Sequence, residues 1–394
     1  MNRARTAAFD PQALLEEARA ANDGLTDFGD PSFRAGLDVL CRALDGQAQL
    51  SATGAALMRQ KLVTQLGNRL RVEDWFARHP EIAREEIAPP LVIVGLPRTG
   101  TTKLHRLLSR DPRFWWMAFW ESQFPVPFTD ESLERPIARI AAGHELCAMM
   151  TQAMPRLLAI HPMDAEEADE EVMLMEHSFL SAFNAYADVP DYERWLETQD
   201  QAPAYRYLRR MLQFLQWQKR HRGIEAQRWL LKAPHHLLRM DVLLRVFPGA
   251  QVILTHREPE ECVPSLASFI HTLWRIYSER ADPQRAGRSW SALMRRALEH
   301  TLRVRDRPEF AGQFLDVEFR DTISCPMEVA ERIYRFIGWP LPDSTRAAMR
   351  SWLAQDEKTH VGGHDYRAQD YGLSQEQLRR DFAAYRARHF ARSA

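Results

Sequence analysis

The stretch Pro90-Leu-Val-Ile-Val-Gly95-Leu-Pro-Arg98-Thr-Gly100-Thr-Thr102 decides how this chain folds. The four residues from Leu91 are aliphatic, and such a run predicts a parallel strand that is buried on both faces. The two glycines bracket a turn in which the backbone can approach a ligand closely, and the pattern that follows predicts a helix. Because the first N–H groups of a helix carry partial positive charge, the stretch predicts a cradle for an anion.

The type of cradle follows from one missing lysine. Gly95 and Gly100 have the spacing of a Walker A phosphate loop, but Thr101 stands where that loop has its lysine. The Walker lysine bridges the β- and γ-phosphates of a nucleoside triphosphate, so its replacement argues against triphosphate chemistry. The cation inside this loop is Arg98, and the segment indicates a phosphate loop of another type.

The run Pro97-Arg-Thr-Gly-Thr-Thr102 resembles the 5′-phosphosulfate loop of sulfotransferases, which use 3′-phosphoadenosine 5′-phosphosulfate (PAPS). That family holds the 3′-phosphate with an arginine just after a strand and a serine on the next helix. Arg257 follows the strand-like run 251–255, and Ser265 stands at the family's interval behind it. The residues that the resemblance assigns to the nucleotide are Gly95, Pro97, Arg98, Thr99, Gly100, Thr101, Thr102, Arg257 and Ser265.

Strand-like runs at 228–232, 251–255 and 314–318 alternate with helical patterns. This alternation predicts right-handed crossovers and a parallel sheet with ligands at the C-terminal ends of its strands. The predicted fold is α/β, a P-loop-type three-layer fold with a central parallel sheet flanked by helices. Residues 1–88 are predicted to form a helical segment that packs on an α/β domain, 89–394. Within that domain, residues from about 110 to 228 form a helical insertion on the acceptor side.

Two residues compete for the role of general base. Sulfuryl transfer needs an activated acceptor oxygen and cations that stabilise the leaving phosphate, and Arg98 with the helix N-terminus can supply the latter. Glu121 is the first candidate, since some sulfotransferases place a glutamate at this distance beyond the loop, and apolar surroundings would raise its pKa. His235 is the alternative, because Lys232-Ala-Pro-His235 resembles a strand end of the cytosolic enzymes, whose histidine comes one position earlier. Lys232 is expected to contact the bridging oxygen or the transferred group.

The acceptor side is predicted from an aromatic cluster that includes Trp116 and Trp120, with His177 as a further contact. The acidic run 164–171 is predicted to begin an amphipathic helix, on which Glu170 and His177 share one face. Acidic residues in a first helical turn complement the helix dipole, so the run does not require a metal ion. Near the C-terminus, the run 358–364 contains two glycines and is a candidate for a loop that closes over the nucleotide.

The composition restricts the class of partner. The 394 residues carry a net charge of −1 and are 45% hydrophobic, which indicates a globular protein without bulk attraction for nucleic acid or an anionic membrane. The four cysteines form no CxxC pair, and no apolar run approaches the length of a membrane span. A cytoplasmic protein without membrane insertion is expected, and its oligomeric state, a homodimer included, stays open.

The leading hypothesis is a PAPS-dependent sulfotransferase that transfers a sulfuryl group to a hydroxyl of a small, partly apolar acceptor and needs no metal. A P-loop kinase that uses Mg-ATP is the alternative enzyme. A nucleotide-binding module without catalysis is the third hypothesis, and it would be indifferent to the loss of Glu121 or His235.

Overall fold

The computed structural model describes residues 8–153, 163–359 and 366–390, so that residues 360–364 of the predicted closing loop lie outside the described residues. The chain forms two compact units. The first unit combines the N-terminal residues up to 85 with residues 172–214 and 270–282, and the second comprises 86–171, 215–269 and the chain from 283 onward. The division of the chain at residue 88 stays a prediction.

The second unit contains a sheet of five parallel strands in the order β2-β3-β1-β4-β5. The strands are β1 (Leu91–Gly95), β2 (Phe114–Trp115), β3 (Arg228–Lys232), β4 (Gln251–His256) and β5 (Phe314–Glu318). The predicted α/β fold with a central parallel sheet is confirmed. The two-residue strand β2, which pairs with Arg228 and Trp229 of β3, was not predicted, because a strand of this length has no periodicity to read.

The core of this unit explains the apolar runs. Leu91 and Ile93 of β1 are completely buried and share one face of the sheet with residues of the neighbouring strands. Side chains of the helices Thr101–Leu108, Pro326–Ile337 and Asp343–Thr359 cover that face. Val92 and Val94 point to the other face and are equally buried. Because parallel strands bury both faces, β1 reads as a continuous apolar run.

Helices make up most of the rest of the second unit. Its remaining helices are Phe119–Gln123, Ile137–Ala153, Met240–Val246, Pro283–Arg305, Phe319–Ser324, Gln375–Asp381 and Ala383–His389, with 3-10 turns at Pro234–Arg239, Pro308–Phe310 and Ala368–Tyr371. The helix Gln375–Asp381 begins after Ser374, whose hydroxyl accepts a hydrogen bond from the backbone N–H of Gln377. The helix predicted from the acidic run 164–171 is wrong, because that segment is irregular and helical structure begins only at Val172.

The first unit is helical within the described residues. Its helices are Pro11–Ala20, Phe33–Gly46, Ala52–Arg78, Val172–Met175 and Pro190–Thr198, with 3-10 turns at Pro80–Arg84, Glu176–Ser178 and Phe183–Ala185. The predicted helical character of the N-terminal segment is thereby confirmed. Two further helices, Ala202–His221 and Pro259–Tyr277, contribute residues to both units. Among the described helices, none combines the length and the apolar character that crossing a membrane requires.

Gly95 ends β1 at a point where no side chain fits. A Cβ atom at this position would lie 2.0 Å from the Thr255 hydroxyl and 2.8 Å from the Thr255 carbonyl oxygen. We therefore expect Gly95→Ala to lower the free energy of unfolding by about 1–3 kcal/mol, as overpacked sites do. Urea denaturation would measure this loss. Gly46→Ala is the matched control, because a Cβ atom there meets nothing within 4 Å; equal stability of the two variants would contradict the prediction.

Candidate active site

The helix Thr101–Leu108 is here called the loop helix. The loop that joins β1 to it has the backbone conformation of an anion-binding loop. Arg98 and Gly100 both adopt left-handed conformations, with φ of 75° and 81°. The Thr99 side chain is buried, donates to the carbonyl of Leu96 at 2.6 Å and lies 2.6 Å from the Thr255 hydroxyl. These contacts fix Thr99 between the loop and β4.

The residues of the predicted nucleotide set differ in their access to a ligand. Gly95, Thr99 and Thr101 are buried, whereas Pro97, Arg98, Gly100 and Thr102 are partly exposed. Because the hydroxyl of Thr99 is used inside the loop, this residue can contribute to a ligand only through its main chain. The accessible groups of the loop are those at its tip and at the start of the loop helix.

Arg257, the predicted second anchor, is joined directly to the loop. Its guanidinium donates a hydrogen bond of 3.0 Å to the carbonyl oxygen of Arg98 and lies 4.1 Å from the ring centroid of Phe319. Burial and the positive charge of Arg257 both lower the pKa of Arg98. Two guanidinium groups that disfavour each other's charge at a helix N-terminus form a site that a polyanion would complement.

Ser265 lies on the helix Pro259–Tyr277, which begins two residues beyond Arg257. It is buried, with 2% of its surface exposed. Its predicted contact with the 3′-phosphate stays a prediction.

Lys232, at the end of β3, is brought to the loop helix together with a carboxylate. Its ammonium nitrogen lies 2.5 Å from Glu170 Oε1 and 3.5 Å from the Thr102 hydroxyl. Only 1% of the Lys232 side chain is exposed, but 20% of the Glu170 side chain is. Lys232 therefore lies beside the loop helix, and its contact with the bridging oxygen or the transferred group stays a prediction. Glu170 supplies a partly accessible carboxylate next to it.

The next residue, Glu171, is held in the interior by two hydrogen bonds. Its Oε2 accepts from the backbone N–H of Lys232 at 2.8 Å, and its Oε1 accepts from His236 Nε2 at 2.6 Å. Both side chains of this pair are inaccessible to solvent. Glu170 thus binds the side chain of Lys232, and Glu171 binds its main chain. These two contacts align the acidic segment with the end of β3.

Glu121 has an environment opposite to the expected one. Its carboxylate is buried and pairs with Lys219 Nζ at 2.6 Å and Arg222 Nη2 at 2.5 Å. Burial would raise the pKa of Glu121, but the charges of Lys219 and Arg222 outweigh burial and lower the pKa to about 2. The expectation of a raised pKa was wrong, because two cations about a hundred positions away in the sequence enclose this carboxylate and no local pattern indicates them. An ionised carboxylate with both oxygens paired is a poor proton acceptor.

His235, the alternative base, lies in the 3-10 turn Pro234–Arg239 after β3 and is buried. Neither of its ring nitrogens has a hydrogen-bond partner within the described part of the chain. Burial, with the nearby His236 and Arg239, lowers the pKa of His235 to about 3, so its imidazole is neutral at neutral pH. It keeps the capacity to accept a proton, and its catalytic role stays a prediction.

The three side chains predicted to contact the acceptor, Trp116, Trp120 and His177, differ in how closely other protein groups surround them. Trp120 is buried, and the guanidinium carbons of Arg139 and Arg222 lie 5.1 and 5.2 Å from its ring centroid. Trp120 is therefore packed in the core, and its contact with an acceptor stays a prediction. Trp116 is partly exposed and therefore keeps access to a ligand.

His177 belongs to the first unit, where its Nδ1 lies 3.0 Å from the Leu174 carbonyl and its Nε2 lies 3.1 Å from the Asn68 amide nitrogen. Burial lowers the pKa of His177 to about 4. Because Glu170 lies outside any helix, the predicted helix face shared by Glu170 and His177 does not exist.

Glu170 does not lie on the helix that the sequence predicts for it. Its partner is Lys232, sixty-two positions along the chain. The signal that could have located it is the pair of adjacent glutamates before an apolar helix. The acidic run also contains Glu167, which pairs with Arg110 at 2.6 Å. Basic groups therefore accompany Glu167, Glu170 and Glu171 of this run.

The pairing of Glu121 predicts a pH-dependent contribution to stability. Glu121→Gln should lower the free energy of unfolding by about 3–5 kcal/mol at pH 7, since Lys219 and Arg222 would lose their buried partner. A carboxylate whose pKa is lowered from 4.5 to about 2 on folding contributes fully above pH 4.5 and loses the contribution as pH falls towards 2. The difference between wild type and variant should therefore shrink over that interval in urea denaturation. The exposed Glu145→Gln serves as control, and a fully stable Glu121→Gln without turnover would restore Glu121 as the base.

Comparison with known proteins identifies the family. The model of the sulfotransferase family matches residues 89–343. A sulfotransferase named omega-hydroxy-beta-dihydromenaquinone-9 sulfotransferase Stf3, from Mycobacterium bovis and from Mycobacterium tuberculosis, is 28% identical over 303 residues, which are 73% of this chain and 71% of that protein.

Two solved structures resemble the whole chain. Sulfotransferase STF1 from Mycobacterium tuberculosis is 32% identical, with a TM-score of 0.81 over 96% of this chain and 100% of that one. Sulfotransferase STF9 from Mycobacterium avium is 27% identical, with a TM-score of 0.86 over 99% of this chain and 98% of that one. With the family model, these similarities establish that the chain belongs to the sulfotransferase family.

Proposed function

We propose that this sulfotransferase takes its sulfuryl group from PAPS and transfers it to a hydroxyl of a small, partly apolar acceptor. The observation that carries the donor assignment is the hydrogen bond from the Arg257 guanidinium to the Arg98 carbonyl, which joins the turn that carries Arg257 to the phosphate loop. A nucleotide with phosphates at both its 5′ and 3′ ends matches two separate cationic anchors. Arg98 and the loop N–H groups would hold the 5′-phosphosulfate, and Arg257 with Ser265 the 3′-phosphate.

The reaction then needs a proton acceptor and a cation at the bridging oxygen. We assign the first role to Glu170 and the second to Lys232, which lie 2.5 Å apart beside the loop helix. Glu170 would take the proton as the acceptor oxygen forms its bond to sulfur. The bond from sulfur to the 5′-phosphate oxygen breaks in the same in-line displacement, and Lys232 and Arg98 would stabilise the negative charge on the departing 3′-phosphoadenosine 5′-phosphate (PAP).

The class of acceptor is proposed from a similar protein and from one exposed aromatic side chain. The similar Stf3 protein is named for a hydroxylated menaquinone, which is a lipid alcohol. Trp116 offers a partly exposed aromatic surface in this chain. A hydroxyl carried on an apolar body is the acceptor class that we propose, while the cytoplasmic location and the homodimer stay predictions.

Calorimetric titration with PAP, run beside ATP with and without magnesium, tests the donor assignment. We expect magnesium-independent binding of PAP and much weaker binding of ATP, since Thr101 replaces the lysine that bridges the phosphates of a triphosphate. A preference for Mg-ATP would reject the proposal and return the kinase alternative.

Glu170→Gln tests the assignment of the base. The variant should bind PAP within about twofold of wild type and lose roughly 10²–10⁴-fold in turnover, which is the usual contribution of a general base. Turnover would be measured as PAP release from PAPS with the first long-chain or isoprenoid alcohol that supports it. His235→Gln is the matched variant: a loss confined to His235→Gln would transfer the role to the histidine, and unchanged turnover in both would leave neither as the base.

A further inference from the structure

The segment that carries Arg257 is covered by the last two described helices. These helices, Gln375–Asp381 and Ala383–His389, are here called the C-terminal helix pair. β4 ends at His256, Arg257 follows at once, and the next helix begins at Pro259. The residues on both sides of Arg257 contact the C-terminal helix pair, although no function assigned so far requires it.

The first contact fixes the backbone on the N-terminal side of Arg257. The Tyr385 hydroxyl lies 2.8 Å from His256 Nδ1, and both side chains are buried. On its other side, His256 Nε2 lies 2.7 Å from Asp316 of β5, whose carboxylate accepts two hydrogen bonds from Arg305 at 2.6 and 2.8 Å. The hydrogen bonds from Tyr385 through His256 and Asp316 to Arg305 form one connected network. This network holds the end of β4 in one place.

The second contact fixes the C-terminal side. The Arg386 guanidinium bridges Glu258 at 2.9 Å and Glu260 at 3.0 Å. Arg379 of the preceding helix also pairs with Glu260, at 3.0 Å, and the Glu260 side chain is 8% exposed. Four charged side chains, two acidic and two basic, therefore hold the start of the helix after Arg257 against the C-terminal helix pair.

We propose that the C-terminal helix pair positions Arg257 for the 3′-phosphate, with Tyr385 and Arg386 as the positioning residues. This inference rests on the proposed function, because it assumes that Arg257 binds a 3′-phosphate. Neither residue needs to touch the nucleotide: they hold the backbone from which the Arg257 side chain reaches the Arg98 carbonyl. Affinity for the 3′-phosphate thereby depends on residues more than a hundred positions further along the chain.

The test measures how well the protein discriminates PAP from adenosine 5′-monophosphate, which lacks the 3′-phosphate. Both ligands would be titrated by calorimetry into the full-length wild type, Tyr385→Phe and Arg386→Ala. We expect the ratio of the affinity for PAP to the affinity for adenosine 5′-monophosphate to fall about tenfold in each variant. A fall of this size corresponds to the partial loss of one charge-assisted hydrogen bond to the 3′-phosphate. Arg386→Lys keeps the charge but not the forked geometry, so its loss should be intermediate.

Arg388→Ala is the matched control, because Arg388 lies on the same helix but pairs with Asp306, away from the segment 256–261. Its affinity ratio should equal that of wild type, even if its melting temperature falls as far as that of Arg386→Ala. Ratios within twofold of wild type in Tyr385→Phe, Arg386→Ala and Arg386→Lys would overturn the inference.

Arg257→Ala separates failure of this inference from failure of the proposed function. Under the proposed function it should abolish the discrimination. If wild type does not prefer PAP, or if Arg257→Ala keeps the preference, the assignment of Arg257 to the 3′-phosphate is rejected, and the inference about the C-terminal helix pair is rejected with it.

Discussion

The hydrogen bond from Arg257 to the carbonyl of Arg98 is the contact on which the candidate site depends. It ties the turn after β4 to the turn after β1, two strands that are neighbours in the sheet. The left-handed backbone at Arg98 directs that carbonyl towards Arg257, and the glycine at position 95 lets the two turns approach. The sheet order thus brings both cations to one edge, as expected for parallel strands with ligands at their C-terminal ends.

Around this contact, two pairs of a carboxylate with a lysine differ in how far they are exposed to solvent. Lys232 and Glu170 form an ion pair in which the carboxylate is partly accessible. Glu121 forms an ion pair with Lys219 and Arg222 that is enclosed, and it stabilises the packing of Phe119–Gln123 on the end of a long helix. Both arrangements contain a carboxylate and a lysine, so their difference in exposure, rather than residue type, distinguishes a candidate reaction centre from a structural pair.

The sequence predicted what is local and missed what depends on distant partners. Aliphatic runs identified β1, β3, β4 and β5, and the glycine spacing identified the loop, because these features are encoded within a few residues. The acidic run 164–171 has helix-forming composition, yet its backbone pairs with residues 117–120 instead, including a hydrogen bond of 3.1 Å from the Phe119 N–H to the Glu167 carbonyl. The environments of Glu121 and Glu170 arise from lysines that are 98 and 62 positions away, and no local pattern reports such partners.

The adjacent positions of Glu170 and Glu171 have a consequence for the length of the segment that carries them. Their side chains point to different sides of the backbone: one reaches Lys232 beside the loop, and the other reaches His236 in the interior. The backbone bridge between Ala118 and Ala168 fixes where this alternation begins. Insertion or deletion of a single residue between that bridge and Glu170 would turn the accessible carboxylate inward. The length of this short segment is therefore as constrained as the identity of its two acids, even though it has no regular secondary structure.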